Sequence, residues 1–481
     1  MPKYTKYLFY LTLYCFVLFS LIPLLRLSLP MDTQEAVIWG KYCLWGTTKH
    51  PPFSGWLAYD FYKIAGFWDG ALYVLSQLCV ACGIYYIYKL ARCFLDENKA
   101  AIAAMLQFGI IYYHFSAVEY NVNVLSVALW PMCAYYFWQA YRQDKLKYWL
   151  IFGFLTGISL LNKYVGVMQF VAMFIFVIAD KGMLKLLKNT KAYAAVTVAL
   201  LVVAPHLWWM YQTDFETMNY FASRSGNGIK SWWGHILYPL KFVLAQVLFA
   251  SATLLTYGIF YKKSEKEKFV QNRTYSLFVG IMSVAPVILF ALTAVISGNS
   301  LKSMWGFPCL FMWGIALVYF YPLKYSIKLP FAMFCWITLF AIGYAVQCLL
   351  TTSPRFVTNV KSFASVMEQK WQERTDRPLE YVGADVWYAD ILALYGSSEI
   401  KPMFWMKPKS NPWFNGKDFE QKGALVIANN EQEYNIYRQM YGKDITPPQK
   451  MIVEYKNYFD KTKVKEVIYG FYMPWENIND K

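Results

Sequence analysis

Long apolar runs broken by short polar connections dominate the first 350 residues of the chain. A membrane-spanning helix needs about 20 mostly apolar residues. The runs at 7–27, 70–90, 100–117, 122–141, 147–162, 164–180, 193–211, 235–260, 275–297, 303–321 and 329–350 meet or approach that length. The segment from Tyr148 to Ala179 is too long for one crossing without large tilt, so it predicts two spans with Asn162-Lys163-Tyr164 between them. The pattern changes after residue 350. VWYADILALYG (386–396) has the 3.6-residue period of a helix, while ALVIANN (424–430), MIVEYKNY and KEVIYGFYM read as strands. The expected architecture is a polytopic α-helical membrane protein of about eleven spans, residues 1–350. A small soluble α/β domain, residues 351–481, follows it.

Charge supports the count and gives it a direction. With the N-terminus (Lys3, Lys6) in the cytoplasm, the clusters Lys89/Arg92/Lys99, Arg142/Lys145/Lys147 and Lys181/Lys185/Lys188/Lys191 share that side. So do Lys262/Lys263/Lys266/Lys268/Arg273 and Lys324/Lys328. The opposite connections are poorer in Lys and Arg, as the positive-inside rule requires. The loop 31–69, the turn 118–121, Lys163, the loop 212–233, residues 297–302 and the C-terminal domain then face outward. For a bacterial inner membrane, that places the domain in the periplasm.

Composition agrees: 57% of the 481 residues are hydrophobic and only 16% charged, against about 25% charged in soluble domains. The net charge of +16 comes as loop clusters, unlike a nucleic-acid footprint, so nucleic acid is excluded as a partner. Most of the nine cysteines sit in apolar runs and read as small hydrophobes, the Cys79/Cys82 pair included. No phosphate-cradling glycine loop is present.

The unusual polar residues gather on the outer side. In the first outer loop, Asp32 and Glu35 lie one helical turn apart and can point the same way. Asp32 suits a helix cap as well as a catalytic base. Lys49-His50 precedes Pro51-Pro52, which restricts the backbone and holds the pair in place. Glu119, Asn121 and Asn123 form a second polar group. Lys163, beside Tyr164, suits either snorkelling or a lipid phosphate. Arg224, with Lys230, and Lys302 offer further phosphate or sugar contacts. His50 with an outer carboxylate is a candidate ligand pair for a divalent cation, the one cofactor for which the residues leave room.

Taken together, the Asp-Glu region after the first helix, WGTTKHPPFSGW, LTGISLLNKYVGV and APHLWW resemble the GT-C membrane glycosyltransferases. The branch is the bacterial one grouped with protein O-mannosyltransferases and the lipid A aminoarabinose transferase, and the likeness runs from about residue 28 to 315. It implies an inverting transferase that takes a sugar from a polyprenyl phosphate on the outer face. The implied acceptor is lipid A or another envelope glycolipid, ahead of a protein. Asp32 matches the family's first-loop acid, Lys49-His50 the pair before the prolines, and Lys163-Tyr164 the KY motif. Asp32 and Glu35 are not adjacent here, and Glu119 stands where many members carry Asp. The essential acid is therefore one of Asp32, Glu35 and Glu119, with an amide such as Asn121 able to take the second place. The competing class is a lipid or sugar transporter or flippase, which mid-span charges and inverted repeats would favour; the chain shows neither.

Overall fold

The structure, a computed structural model, describes residues 2–225, 232–261, 272–321 and 326–475, with the backbone alone for 221–225. Lys230, Lys262, Lys263, Lys266, Lys268, Lys324 and the Arg224 side chain lie outside the described part.

Each predicted span meets a helix or a bent pair of helices. Spans 1, 2, 7, 9 and 11 are Lys3–Leu25, Gly70–Ala91, Thr190–Gln212, Arg273–Ser297 and Lys328–Leu350, all long and apolar enough to cross a membrane. Spans 3, 8 and 10 are bent: Glu97–Gly109 with Ile111–Val118 (94°), Gly234–Phe249 with Ser251–Phe260 (55°), and Ser303–Leu310 with Trp313–Phe320 (49°). Spans 4, 5 and 6 are Val122–Gln143, Leu146–Asn162 and Tyr164–Ala179. Spans 5 and 6 are short because Lys163 takes an extended conformation between them.

The chain forms two compact units. The first comprises Met1–Ile22, Lys49–Ser54 and Gly70–Tyr344. Polar contacts at its span ends sort as the basic loops predict. Among the ends predicted to be cytoplasmic, Thr5 and Tyr88 donate to Glu97 (3.3 and 3.4 Å). Tyr141 and Thr274 both donate to Asp180 at 2.8 Å. Asp144 receives Lys191, Trp149 and Asn189 at 2.8, 2.9 and 2.7 Å. Those donors, Lys191 first, hold its carboxyl down to about 2. Every one of these residues stands at an end the charge pattern assigns to one side.

The second unit comprises Pro23–Thr48, Gly55–Asp69 and Ala345–Lys481. Its five-stranded sheet has the order β2-β1-β3-β5-β4. The strands are β1 Tyr381–Ala384, β2 Lys401–Phe404, β3 Ala424–Ala428, β4 Gln449–Lys456 and β5 Thr462–Tyr472. β1 runs parallel to β2 and β3, and β5 antiparallel to β3 and β4. β3 is buried along its whole length, which is why it reads as an unbroken apolar run. The helix Val386–Tyr395 starts on Asp385, whose side chain accepts from the Tyr388 N–H at 3.0 Å.

Much of the first loop belongs to this unit. Ile38, on the helix Met31–Lys41, shares a core with Phe363, Trp387, Ile391 and Leu425. Tyr42 stacks on Trp413 at 4.5 Å, Lys41 pairs with Glu399 at 3.5 Å, and Thr48 donates to the Ser410 carbonyl at 3.0 Å. Asp69 accepts from Tyr62 and Tyr395, both at 2.9 Å, and its burial pushes the carboxyl up from the usual range.

The helices Met31–Lys41 and Phe53–Ile64 touch backbone to backbone at two glycines. A Cβ on Gly40 would stand 2.0 Å from the Gly55 carbonyl oxygen and 2.5 Å from the Tyr59 Cβ. Gly40→Val is therefore expected to force the helices apart, at about 1–3 kcal/mol. The check is the melting midpoint and membrane abundance of the purified variant; wild-type values for both would show that the close approach is dispensable.

Candidate functional site

In the first unit part of the predicted outer set, Glu119, Asn121, Asn123 and Lys163, is linked by hydrogen bonds around the start of span 4. The fully buried Tyr120 donates its hydroxyl to the Ser54 carbonyl at 3.1 Å, tying the Lys49–Ser54 segment to the start of span 4. Pro51 and Pro52 are buried, with Lys49 and His50 half-buried ahead of them. Glu119 is also half-buried, and its carbonyl accepts from the Asn121 amide at 3.0 Å. The Asn121 side-chain oxygen caps span 4, accepting from the Asn123 and Val124 N–H groups at 2.8 and 3.4 Å. Both ends of that amide thus serve the backbone.

Lys163 is 8% exposed, so its ammonium does not snorkel into water. It donates to Asn123 Oδ1. Asn162, next to it, donates to the Val122 carbonyl at 2.8 Å and Ser126 Oγ at 2.9 Å. The outer ends of spans 4 and 5 are thereby locked together, with the cation fixed between them. Beside them the Tyr164 hydroxyl lies 2.7 Å from His206 Nε2, and the two rings stack.

A second polar knot joins spans 3, 8 and 10. Tyr112, in the bend of span 3, donates to Gln246 Oε1 at 3.1 Å and to the Ser303 carbonyl at 3.0 Å. Gln246 also donates to Ser303 at 3.1 Å. Lys302, the residue before Ser303, is exposed.

The two first-loop acids sit in the second unit. The helix Met31–Lys41 is capped at Pro30, whose carbonyl accepts from Thr33 and Gln34 at 3.1 and 3.0 Å. Asp32 lies inside the first turn and does not cap it. It is half-buried, whereas Glu35, one turn on, is only 2% exposed.

Among the described residues no group of three or more His, Cys, Asp or Glu is gathered to hold a metal. Tyr120, Ser126, Asn162, His206 and Gln246 were not singled out from sequence. His206 had a signal in the Pro-His of APHLWW, but Gln246 is one polar residue in an apolar run, which periodicity cannot distinguish from a lipid-facing position.

This arrangement defines a class: a polytopic membrane protein of the GT-C fold with a small C-terminal sheet domain. ArnT from Cupriavidus metallidurans, solved both bound to undecaprenyl phosphate and in the apo state, matches with a TM-score of 0.64 at 13% identity. The bound structure covers 97% of this chain and 98% of its own. Residues 49–209 match the family model described as dolichyl-phosphate-mannose-protein mannosyltransferase. The lipopolysaccharide core galacturonosyltransferases RgtB and RgtA of Rhizobium johnstonii are 24% and 23% identical to this chain. Each match covers 59% of this chain and 59% and 58% of the relatives, so about three fifths of their length is spanned. The likeness drawn from HPP, NKY and APHLWW thus recurs in family, relatives and fold.

Proposed function

We propose that this protein is an inverting glycosyltransferase that moves a sugar from a polyprenyl phosphate to an envelope glycolipid, on the periplasmic face of a bacterial inner membrane. The observation that carries the reading is Lys163, a buried cation held by Asn123 at the outer ends of spans 4 and 5, within the family-matched stretch. A donor of this kind makes stronger hydrogen bonds to an anion than it would in water. The undecaprenyl phosphate bound to ArnT supports a polyprenyl phosphate as the lipid carrier here. The two Rhizobium lipopolysaccharide core galacturonosyltransferases favour a lipopolysaccharide or lipid A acceptor over a protein.

The chemistry follows from the groups. An acceptor hydroxyl oxygen attacks the anomeric carbon from the face opposite the phosphate. The carbon–oxygen bond to phosphate breaks and its electron pair leaves with the polyprenyl phosphate, which Lys163 stabilises with Arg224 and Lys302 as further phosphate contacts. The base is one of the three acids that the family resemblance singles out, Asp32 first and Glu35 and Glu119 as the alternatives. Lys49, His50 and Tyr164 contact the donor headgroup, and Asn121 orients the segment that carries Glu119 and Asn123.

The test uses the full chain in membranes with a labelled polyprenyl-phosphate sugar. Label in a glycolipid, with one polyprenyl phosphate released per sugar, is the expected result. Label that crosses the bilayer still attached to its carrier would establish the flippase instead. Orientation has its own check: a reporter fused at Lys145 is expected to read cytoplasmic and one at Glu399 periplasmic. A cytoplasmic signal from Glu399 would overturn the eleven-span count.

A further inference from the structure

Strands β4 and β5 form a hairpin whose tip is fastened to the C-terminal ends of spans 1 and 11. Asn457 Nδ2 donates to the carbonyl of Leu350, the last residue of span 11, at 2.8 Å. The Tyr458 hydroxyl donates to the carbonyl of Leu25, which ends the turn continuing span 1, also at 2.8 Å. Carbonyls in the last turn of a helix have no partner within the helix, so the hairpin tip completes two span ends. A brace joins those exits: Leu27 N–H donates to the Phe356 carbonyl at 2.9 Å, and Arg26 Nη2 and Ser28 Oγ donate to the Arg355 carbonyl at 2.6 and 2.9 Å.

These bonds set the tip at the ends of both helices. A residue that donates to the final carbonyl of a spanning helix stands where hydrocarbon gives way to headgroups. The side chains there suit that level. Phe459 is 61% exposed and Tyr458 51%, beside Leu350 at 55%, Leu27 at 47% and Leu24 at 43%. In water this cluster would be an exposed apolar patch among the described residues. At an interface, an aromatic ring with a polar tip and a neighbouring Phe are the expected occupants. The charged groups of the hairpin end itself are Lys456, Lys461 and Lys463 with Glu454 and Asp460, all exposed, and Arg26 and Arg355 stand at the brace beside it.

We propose that the β4–β5 tip is an interfacial anchor on the leaflet where spans 1 and 11 emerge. Phe459 enters the acyl boundary, Tyr458 stands at headgroup level, and Lys456 and Lys461 meet phospholipid phosphates. Anchored in this way, the sheet of the second unit is held by lipid as well as by its covalent links to spans 1 and 11. The proposal depends on the membrane fold and not on the transferase reading.

Placing the photo-crosslinking amino acid p-benzoylphenylalanine at position 459 tests it, since the change from Phe is conservative. The full chain is reconstituted in nanodiscs of phosphatidylethanolamine and phosphatidylglycerol, irradiated, and its peptides weighed. The expected result is a 457–461 peptide heavier by one phospholipid, at a yield like that of the same substitution at Leu339, 55% exposed on span 11. Ile436, 49% exposed on the helix Glu431–Tyr441, sets the background. A yield at 459 no higher than at Ile436, or adducts only to a second protein chain, overturns the anchor.

Discussion

Asp32→Asn is expected to reach the membrane in normal amount and to lose roughly 10²-fold or more of its transfer rate. The geometry makes this substitution informative. The helix Met31–Lys41 begins on the Pro30 carbonyl, so no cap depends on the Asp32 side chain. An amide keeps its shape and gives up only charge and basicity. The lost attraction between a carboxylate and the helix N-terminus is worth about 0.3–1 kcal/mol, and the abundance of the variant reads any further contact the carboxylate makes. A rate loss at constant abundance therefore reports chemistry. Glu35→Gln is the comparison: at 2% exposure that acid is packed into the second unit, and its substitution is expected to lower abundance as well as rate. Glu119→Gln completes the set. Near-normal transfer by Asp32→Asn with loss in either of the others would move the base to that residue. Normal transfer by all three would end the carboxylate mechanism.

Lys163→Met is expected to raise the donor KM about tenfold or more, since a charge-assisted hydrogen bond contributes about 1.5–3 kcal/mol. Some stability is lost too, because the substitution removes the ammonium that Asn123 Oδ1 accepts in a buried place, at about 1–3 kcal/mol. The two effects separate by measurement. Asn123→Ala disturbs the same contact while keeping the cation, so it is expected to match the loss of stability with a smaller rise in KM. Lys163→Arg retains charge and is expected to recover part of the donor affinity. A donor KM unchanged in Lys163→Met, with melting lowered, would make the lysine a structural clasp between spans 4 and 5.

Legibility differed between the two units for physical reasons. The spans were readable because each must satisfy its own backbone with a long apolar helix, whatever its neighbours do. Even Lys163, which divides spans 5 and 6, showed as a cation between two apolar runs. β3, the helix Val386–Tyr395 and the β4–β5 pair were readable from their apolar runs and periods. β1 and β2 were not: each is four residues long, and β2 carries Pro402, tolerated because β2 is an edge strand.

The amino-acid order alone determined the apolar runs that become helices or bent helix pairs and the presence of an α/β tail. Apolar length and loop charge act over a few tens of residues and need no partner to be read. Only the tertiary structure decided which polar residues meet. It joined Asn123 to Lys163 across 40 positions and Tyr164 to His206 across 42. It packed residues 23–48 and 55–69 with the tail, and set the hairpin tip on the last carbonyls of Leu25 and Leu350. Those pairings depend on which helix faces turn toward one another, and a single buried Asn, Lys or Gln leaves no period in the chain to announce its partner.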